Sequence, residues 1–337
     1  IAAQLADRFS RSLIMVIFHF GIGLGAIMAG ISQSIGQLIT ALGVIGIFAA
    51  IYHPVGIAML VKSNKFIGFR LGINGVFGNF GVAAAPLITG LLLTIGDWQL
   101  CFIIPGLFCI AYGVAFARAL KDDADNTSKS RVNVAESFAP NWKRALAALA
   151  LSTASGGFIF GAMTFVVPRY FEISMVSLST SVAVTGFLAA LVYAVASFSQ
   201  IAVGWVIDRY SPRNVLLTMA IGQVAFIYLA AQFNNLALFF AMLLAMSFVF
   251  GQIPITDAIL SRYVPDAWRA RVFSIKFMLN LSIGASVLPV CGIFLQTGYE
   301  MTSLFNLMSA IATLIVVAAI ILPQQQSDQR LDHAPAK

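Results

Sequence analysis

Charge is what this sequence has least of: Asp, Glu, Lys and Arg together make up 10% of its 337 residues. A water-soluble domain carries about 25%, so most side chains here must face an apolar medium. A giant dry core is not an alternative for a chain of this size. Cysteine is sparse as well. Cys101, Cys109 and Cys291 each sit in an apolar run, which speaks against a disulfide framework and a redox motif. Paired His/Glu metal spacing, a phosphate-cradling Gly-Lys-Ser/Thr loop and a serine elbow are all missing. The expectation is a non-enzyme with no metal, no cofactor and no direct use of ATP. The net charge of +7 does not point to nucleic acid, because the basic residues are spread over short loops.

Apolar length is what the sequence has in quantity. Apolar residues form 60% of the chain, and the mean hydropathy is +0.91. A bilayer core calls for about 20 apolar residues per helix. Ten segments reach that length, at 12–31, 36–61, 71–95, 98–118, 145–168, 180–206, 214–232, 236–260, 270–296 and 302–322. The expected fold class is therefore an all-α polytopic membrane protein with ten transmembrane helices. Short intervals such as Gly96-Asp97-Trp98, Asn234-Asn235 and Thr297-Gly298-Tyr299 carry turn chemistry. The stretch 119–144 alone is long and polar. It separates an N-terminal bundle (1–118) from a C-terminal bundle (145–322), with a tail at 323–337.

Lysine and arginine in short loops are retained on the cytoplasmic side of a membrane. Alternate loops and the tail hold 18 of the 20 basic residues. This predicts a cytoplasmic (inner) membrane location, with the central loop and the C-terminus in the cytoplasm. The two exceptions are Arg169, expected in an opposite loop, and Lys276, inside a helix.

An internal repeat organises the spans. Leu5-Ala6-Asp7-Arg8-Phe9-Ser10-Arg11 returns as Val206-Ile207-Asp208-Arg209-Tyr210-Ser211-Pro212-Arg213. Arg70 matches Arg271, Gly81 matches Gly284, Pro86 matches Pro289 and Gly96 matches Gly298, all at an offset of about 200 residues. Two homologous halves with a site near the midplane between them is a common transporter plan. The second half has two helices before its Asp-Arg loop and the first has none. Symmetry thus predicts roughly sixty further residues upstream, making the ten spans helices 3–12 of an expected twelve. This stretch alone is expected not to transport.

These features resemble the major facilitator superfamily over the whole chain. The loop pattern Gly-x-Leu-Ala-Asp-Arg-x-Gly-Arg of that family is met by Ala3 to Arg11 and again by Gly204 to Ser211, with Ala3 and Ser10 in place of glycines. The fifth-helix pattern of its antiporter branches is met by Gly81, Pro86 and Gly90, with Ala85 and Thr89 replacing two glycines. Tyr52-His53-Pro54 with Gly78-Asn79-Phe80-Gly81 resembles the fosmidomycin-resistance type of efflux carrier. Gly43 stands where the family's fourth-helix arginine would be expected. The resemblance implies alternating access, a small-molecule substrate and a proton as the coupling ion. It fits a monomer in the lipid bilayer.

The residues themselves suggest roles. Asp7 and Asp208 can cap neighbouring helix N-termini, and Arg8, Arg11, Arg209 and Arg213 can bridge to acids or carbonyls. Such ties would latch one state; the alternative is a solvated loop that only fixes orientation. Asp257, near the cytoplasmic end of its helix, needs a partner among Arg209, Arg213 and Arg262. Lys276, Asn280 and Gly284 share one helical face, which suits a cavity wall for a polar or anionic substrate. Lysine snorkelling to the interface is the competing reading. His53 precedes Pro54, which frees a carbonyl and bends the helix. Histidine titrates in the physiological range and would suit a proton carrier; a structural hydrogen bond is the alternative. Gly81, Pro86 and Gly90, with Gly284 and Pro289 at the mirror position, mark packing seams and bends, and Asn74 and Asn79 add polar groups beside the first. Proton-coupled efflux of a small organic compound is the leading expectation. Import of a small organic anion comes second, and a membrane sensor or enzyme is a distant third.

Overall fold

The computed structural model describes residues 10–60, 66–123, 137–178 and 182–324. Among them the regular elements are helices: α1 (Arg11–Gly30), α2 (Ile35–Ala49), α3 (Tyr52–Leu60), α4 (Ile67–Ile95), α5 (Leu100–Asp123), α6 (Trp142–Ser174), α7 (Val182–Ser197), α8 (Ser199–Ile207), α9 (Pro212–Gln232), α10 (Asn235–Tyr263), α11 (Asp266–Gln296) and α12 (Met301–Ile321). Among the described residues, eight stretches are individually long and apolar enough to cross a membrane, one of them running through α7 and α8. The pair α2–α3 and the 29-residue α4 occupy the other two expected spans. The chain is thus a multi-pass helical membrane protein.

The two broken spans have local causes. Pro54 has no N–H to give the Ala50 carbonyl, and α2 ends at that point. Ile51 N bonds back to Phe48 O instead, a tighter i→i−3 turn. In the second case the Ser197 hydroxyl donates to Tyr193 O at 2.6 Å. Phe198 N then turns to Val195 O, as expected when a side chain competes for the backbone ladder. Elsewhere helices run on through proline, as α4 does through Pro86 and Gly90 and α11 through Pro289.

Several expected boundaries move. The helix carrying Lys276 begins at Asp266 rather than 270, where an acid in the first turn suits the positive end of the helix dipole. Arg169 is not in a loop, because α6 extends past it to Ser174, and it pairs with Glu172 one turn on at 2.6 Å. The Gly298 turn takes φ +91° and Asn235 takes φ 54°, both in the left-handed region that those residue types tolerate.

The chain forms two compact units. Among the described residues the first comprises 10–60, 81–123, 137 and 264–277; the second comprises 66–80, 138–178, 182–263 and 278–324. In the first, α1 packs against α5 on one side and α2 and α3 on another. Its glycines sort accordingly. Gly23 and Gly30 meet Ile110 and Ile103 of α5, while Gly21 and Gly25 meet Phe48 and Ile45 of α2. Gly23 and Gly106 face each other's carbonyls, the close backbone approach on which helix pairs in lipid rely. In the second unit α10 is central, touching α6, α7, α8 and α9. Phe250, Tyr170, Phe171 and Phe305 are fully buried around it.

Candidate functional site

Two places gather the chemistry suggested by the sequence, one in each unit. In the second unit the loop after α8 carries Asp208. Its carboxylate accepts the N–H of Gly68 at 2.8 Å and that of Phe69 at 2.9 Å. These are orphan donors at the start of α4, where a negative charge also meets the favourable end of the helix dipole. The side chain therefore caps a helix 140 residues away in sequence. Arg209 lies over the Trp205 ring, 3.8 Å from its centroid, and donates to Trp205 O. Arg262 donates to Ile207 O at 2.7 Å, beside the Asp208 charge. Arg213 is half-buried in the first turn of α9, and Asp257 is buried within α10.

The cap closes a seam of backbone on backbone. A Cβ on Gly68 would collide with Ile207 and the Gly204 carbonyl, one on Gly72 with the Gln200 carbonyl, and one on Gly204 with Gly68 in return. Gly68, Gly72 and Gly75 follow the i, i+4, i+7 spacing of one helical face. The side chain of Gln200 fills the space beside Gly75. It is fully buried, and neither of its amide atoms has a hydrogen-bond partner; Asn79, one turn beyond Gly75, leaves its Nδ2 unpartnered too. Farther along α4, Gly78 and Gly81 have no described atom within 4 Å of where a Cβ would stand. Asn74 is half-buried on the same helix.

In the first unit, Arg11 at the start of α1 pairs with Asp266 at the start of α11, at 3.7 Å. Each copy of the Asp-Arg repeat thus supplies one tie to a helix N-terminus. Asp7 and Arg8 lie outside the described residues. Farther along α11, Phe277 stacks on His53 of α3, with centroids 4.2 Å apart and planes at 23°. The ammonium of Lys276 lies 5.2 Å from the Phe277 centroid. Two candidates more than 200 residues apart therefore converge on a ring that sequence reasoning passed over. Asn280, also of α11, instead places its amide oxygen against Gly157 of α6, and Gly284 approaches Gly161.

A third polar group was not foreseen. In the second unit Gln252 Nε2 donates to Ser152 Oγ at 2.8 Å, and its Oε1 accepts from Gln223 Nε2 at 2.7 Å. This buried chain ties α6, α9 and α10, and works as interhelical glue. The signal was three isolated polar residues in apolar runs. A cleft of about 680 Å³ opens at the α1–α2 turn, edged by Gln33, Ser34 and Gln37. Its polar groups serve local caps, Gln33 N to Gln37 Oε1 and Gln37 N to Ser34 Oγ, so the chemistry lies elsewhere.

The helical architecture, the repeat and its two ties define a known class. A sequence profile of the Major Facilitator Superfamily matches residues 1–179 and again 173–336. The chain belongs to that superfamily. Over 257 residues it is 23% identical to the 4-hydroxybenzoate transporter PcaK of Pseudomonas aeruginosa, covering 64% of this chain and 55% of the relative. Over 107 residues it is 29% identical to the puromycin resistance protein pur8 of Streptomyces alboniger, covering 31% of this chain and 21% of the relative. The chain spans about half the length, or less, of these curated relatives. Among solved structures it is similar to the fucose:proton symporter FucP of E. coli, with TM-score 0.70, 16% identity and coverage of 96% of this chain and 87% of that one. The human organic anion transporter MFSD10 gives TM-score 0.74 at 14% identity, with coverage of 96% and 79%. At such identities the likeness speaks for the fold.

Proposed function

We infer that the protein is a proton-coupled secondary carrier that moves a small organic compound across the cytoplasmic membrane by alternating access, with export as its direction. The observation that carries the reading is the Asp208 cap on α4. Together with the Arg11–Asp266 pair, it supplies two repeat-related ties on the basic side. Ties made of an ion pair or a couple of charge-assisted hydrogen bonds are strong enough to hold a state and weak enough to release it. The glycine seam of α4 on α8, within the second unit, gives a close rigid contact that rocking can make or break. Histidine as a residue type titrates within the physiological pH range, which makes His53 a candidate proton carrier. The Lys/Arg distribution supports a cytoplasmic C-terminus, and a monomer suffices for this mechanism.

Export rests on the Gly81, Pro86 and Gly90 pattern, and a resistance protein is among the relatives. Import of a small organic anion is the second reading, favoured by Lys276 beside Phe277 and His53. A relative named as a 4-hydroxybenzoate transporter supports that reading as well. Whole-cell accumulation separates the two: deleting the gene raises internal substrate for an exporter and lowers it for an importer. An unchanged internal level across a panel of organic acids, drugs and sugars contradicts both.

A further inference from the structure

The turn between α8 and α9, in the second unit, shows its surroundings a different chemistry from the cap it makes on α4. Arg209 stands in that turn, with its guanidinium 3.8 Å from the Trp205 centroid and one N–H given to Trp205 O at 3.0 Å. A guanidinium carries five N–H donors in a planar fork. Arg209 is exposed, so the rest of its fork faces outward. Trp205 and Tyr210 are exposed beside it, and Arg213 follows in the first turn of α9. Trp205 lies two residues before the end of α8. Indole rings near helix ends sit at the headgroup level of a bilayer.

The acids of this end are turned away from the same surface. Asp208 spends its carboxylate on the N–H groups of Gly68 and Phe69, and Asp257 is buried within α10. Arg262 points inward too, donating to Ile207 O. The outward face of the turn is therefore cationic and aromatic. The other pairings of tryptophan with a cation are looser: Lys143 is 5.7 Å from the Trp142 centroid and Arg271 is 5.1 Å from that of Trp268. Beside Lys143, Arg144 uses its Nε on Ile321 O.

A guanidinium fork matches a pair of phosphate oxygens, whereas an ammonium is a point charge. A free phosphate would satisfy the fork but has nothing to place against the indole. A phospholipid supplies both, a phosphodiester for Arg209 and an apolar ester region for Trp205. A zwitterionic headgroup would bring a further cation towards Arg213, while a net negative one is attracted by it.

We propose that Trp205, Arg209 and Arg213 form a binding site for the headgroup of an anionic phospholipid, the phosphodiester on the Arg209 fork and the net negative charge beside Arg213. The site rests on the location of the chain in a membrane, and neither the direction nor the coupling of transport enters it.

The test is native mass spectrometry of the purified full-length gene product, including any residues upstream of this stretch, released from micelles holding equal amounts of phosphatidylglycerol and phosphatidylcholine. The readout is the ratio of the two lipids in the tightest-bound position. Each arginine near a lipid surface is worth about fivefold in affinity, so a preference of roughly twentyfold for phosphatidylglycerol is expected. Arg209→Gln and Arg213→Gln should each lower it about fivefold, and the double variant should abolish it. Arg209→Lys, which keeps the charge and loses the fork, should lower it as well, while Lys143→Gln leaves it unchanged. Elution as a single species with unchanged helical circular dichroism shows that each variant is folded. A ratio near one, a ratio unchanged in the double variant, or an equal fall in Lys143→Gln overturns the proposal. Displacement of phosphatidylglycerol by inorganic phosphate at equal concentration also overturns it, since the ligand would then be a soluble anion.

Discussion

The seam of α4 on α8 and the aromatic run around Phe277 both join helices far apart in sequence, but they are built from opposite materials. The seam is backbone against backbone: Gly68, Gly72 and Gly204 leave no room for a Cβ, and Asp208 caps its end through two N–H groups. The aromatic run is side chain against side chain, with a ring left exposed at His53 and a cation at Lys276. Backbone surfaces cannot tell one solute from another, but they fix how closely two helices approach. Side-chain surfaces discriminate solutes and tolerate adjustment. On the proposed reading the first serves motion and the second recognition, and substitutions can separate the two.

The largest effect is expected at the seam. Gly72→Leu forces a branched side chain into the Gln200 carbonyl. Overpacking of a tight contact costs about 1–3 kcal/mol, and here the colliding atom is backbone. Transport should fall to roughly a tenth or less for every solute alike, read as initial rate normalised to protein amount. Gly78→Leu, where space is open, should leave most of the rate; equal loss in both variants would break the assignment. Lys276→Gln comes next. It should raise KM for an anionic substrate by about tenfold with the maximal rate little changed, the pattern of lost binding rather than lost motion.

Asp208→Asn is smaller, since the amide oxygen still accepts from Gly68 or Phe69 while the charge is lost. A destabilisation of about 1 kcal/mol is expected for this half-buried cap, with Asp208→Ala larger. Thermal unfolding of the two variants checks the order. Gln200→Leu sharpens the comparison because its two readouts diverge. Its buried amide has no partner in this state, and an unsatisfied amide costs about 1–3 kcal/mol. The variant should melt a few degrees higher and yet turn over more slowly if the amide gains partners when the seam opens. Faster turnover with higher melting would contradict that role. Arg169→Ala is the smallest. Its pair with Glu172 is well exposed at 60% and 33%, so less than about 1 kcal/mol is at stake.

The hydrophobic runs and the basic loops made the spans readable before any coordinates. A helix cap by Asp208 was one of two readings open from the sequence, beside a solvated loop, and nothing in the sequence pointed to α4 as the helix it meets. The missing N–H of Pro54 made a bend there legible, but not a break, since α4 and α11 run on through Pro86 and Pro289. The partners were not readable. Periodicity assigns Gly72 and Lys276 to faces of their helices, but which helix meets that face depends on register between segments far apart in sequence. Phe277 looked like one of 28 phenylalanines, and only its contact with His53 sets it apart. Gln200, Gln223 and Gln252 were passed over for a related reason: in lipid a lone polar residue is informative, yet its meaning lies in the neighbour it meets.

The central claim is coupling of solute movement to protons. Its most direct test is a pH indicator trapped inside proteoliposomes containing the full-length gene product, including any residues upstream of this stretch, challenged with sugars, cationic drugs and aromatic sulfonates that do not cross lipid unaided. The account predicts a solute-evoked pH change that requires the protein and vanishes with a protonophore. No protein-dependent pH change with any solute, or solute flux that persists unaltered without proton movement, would contradict it.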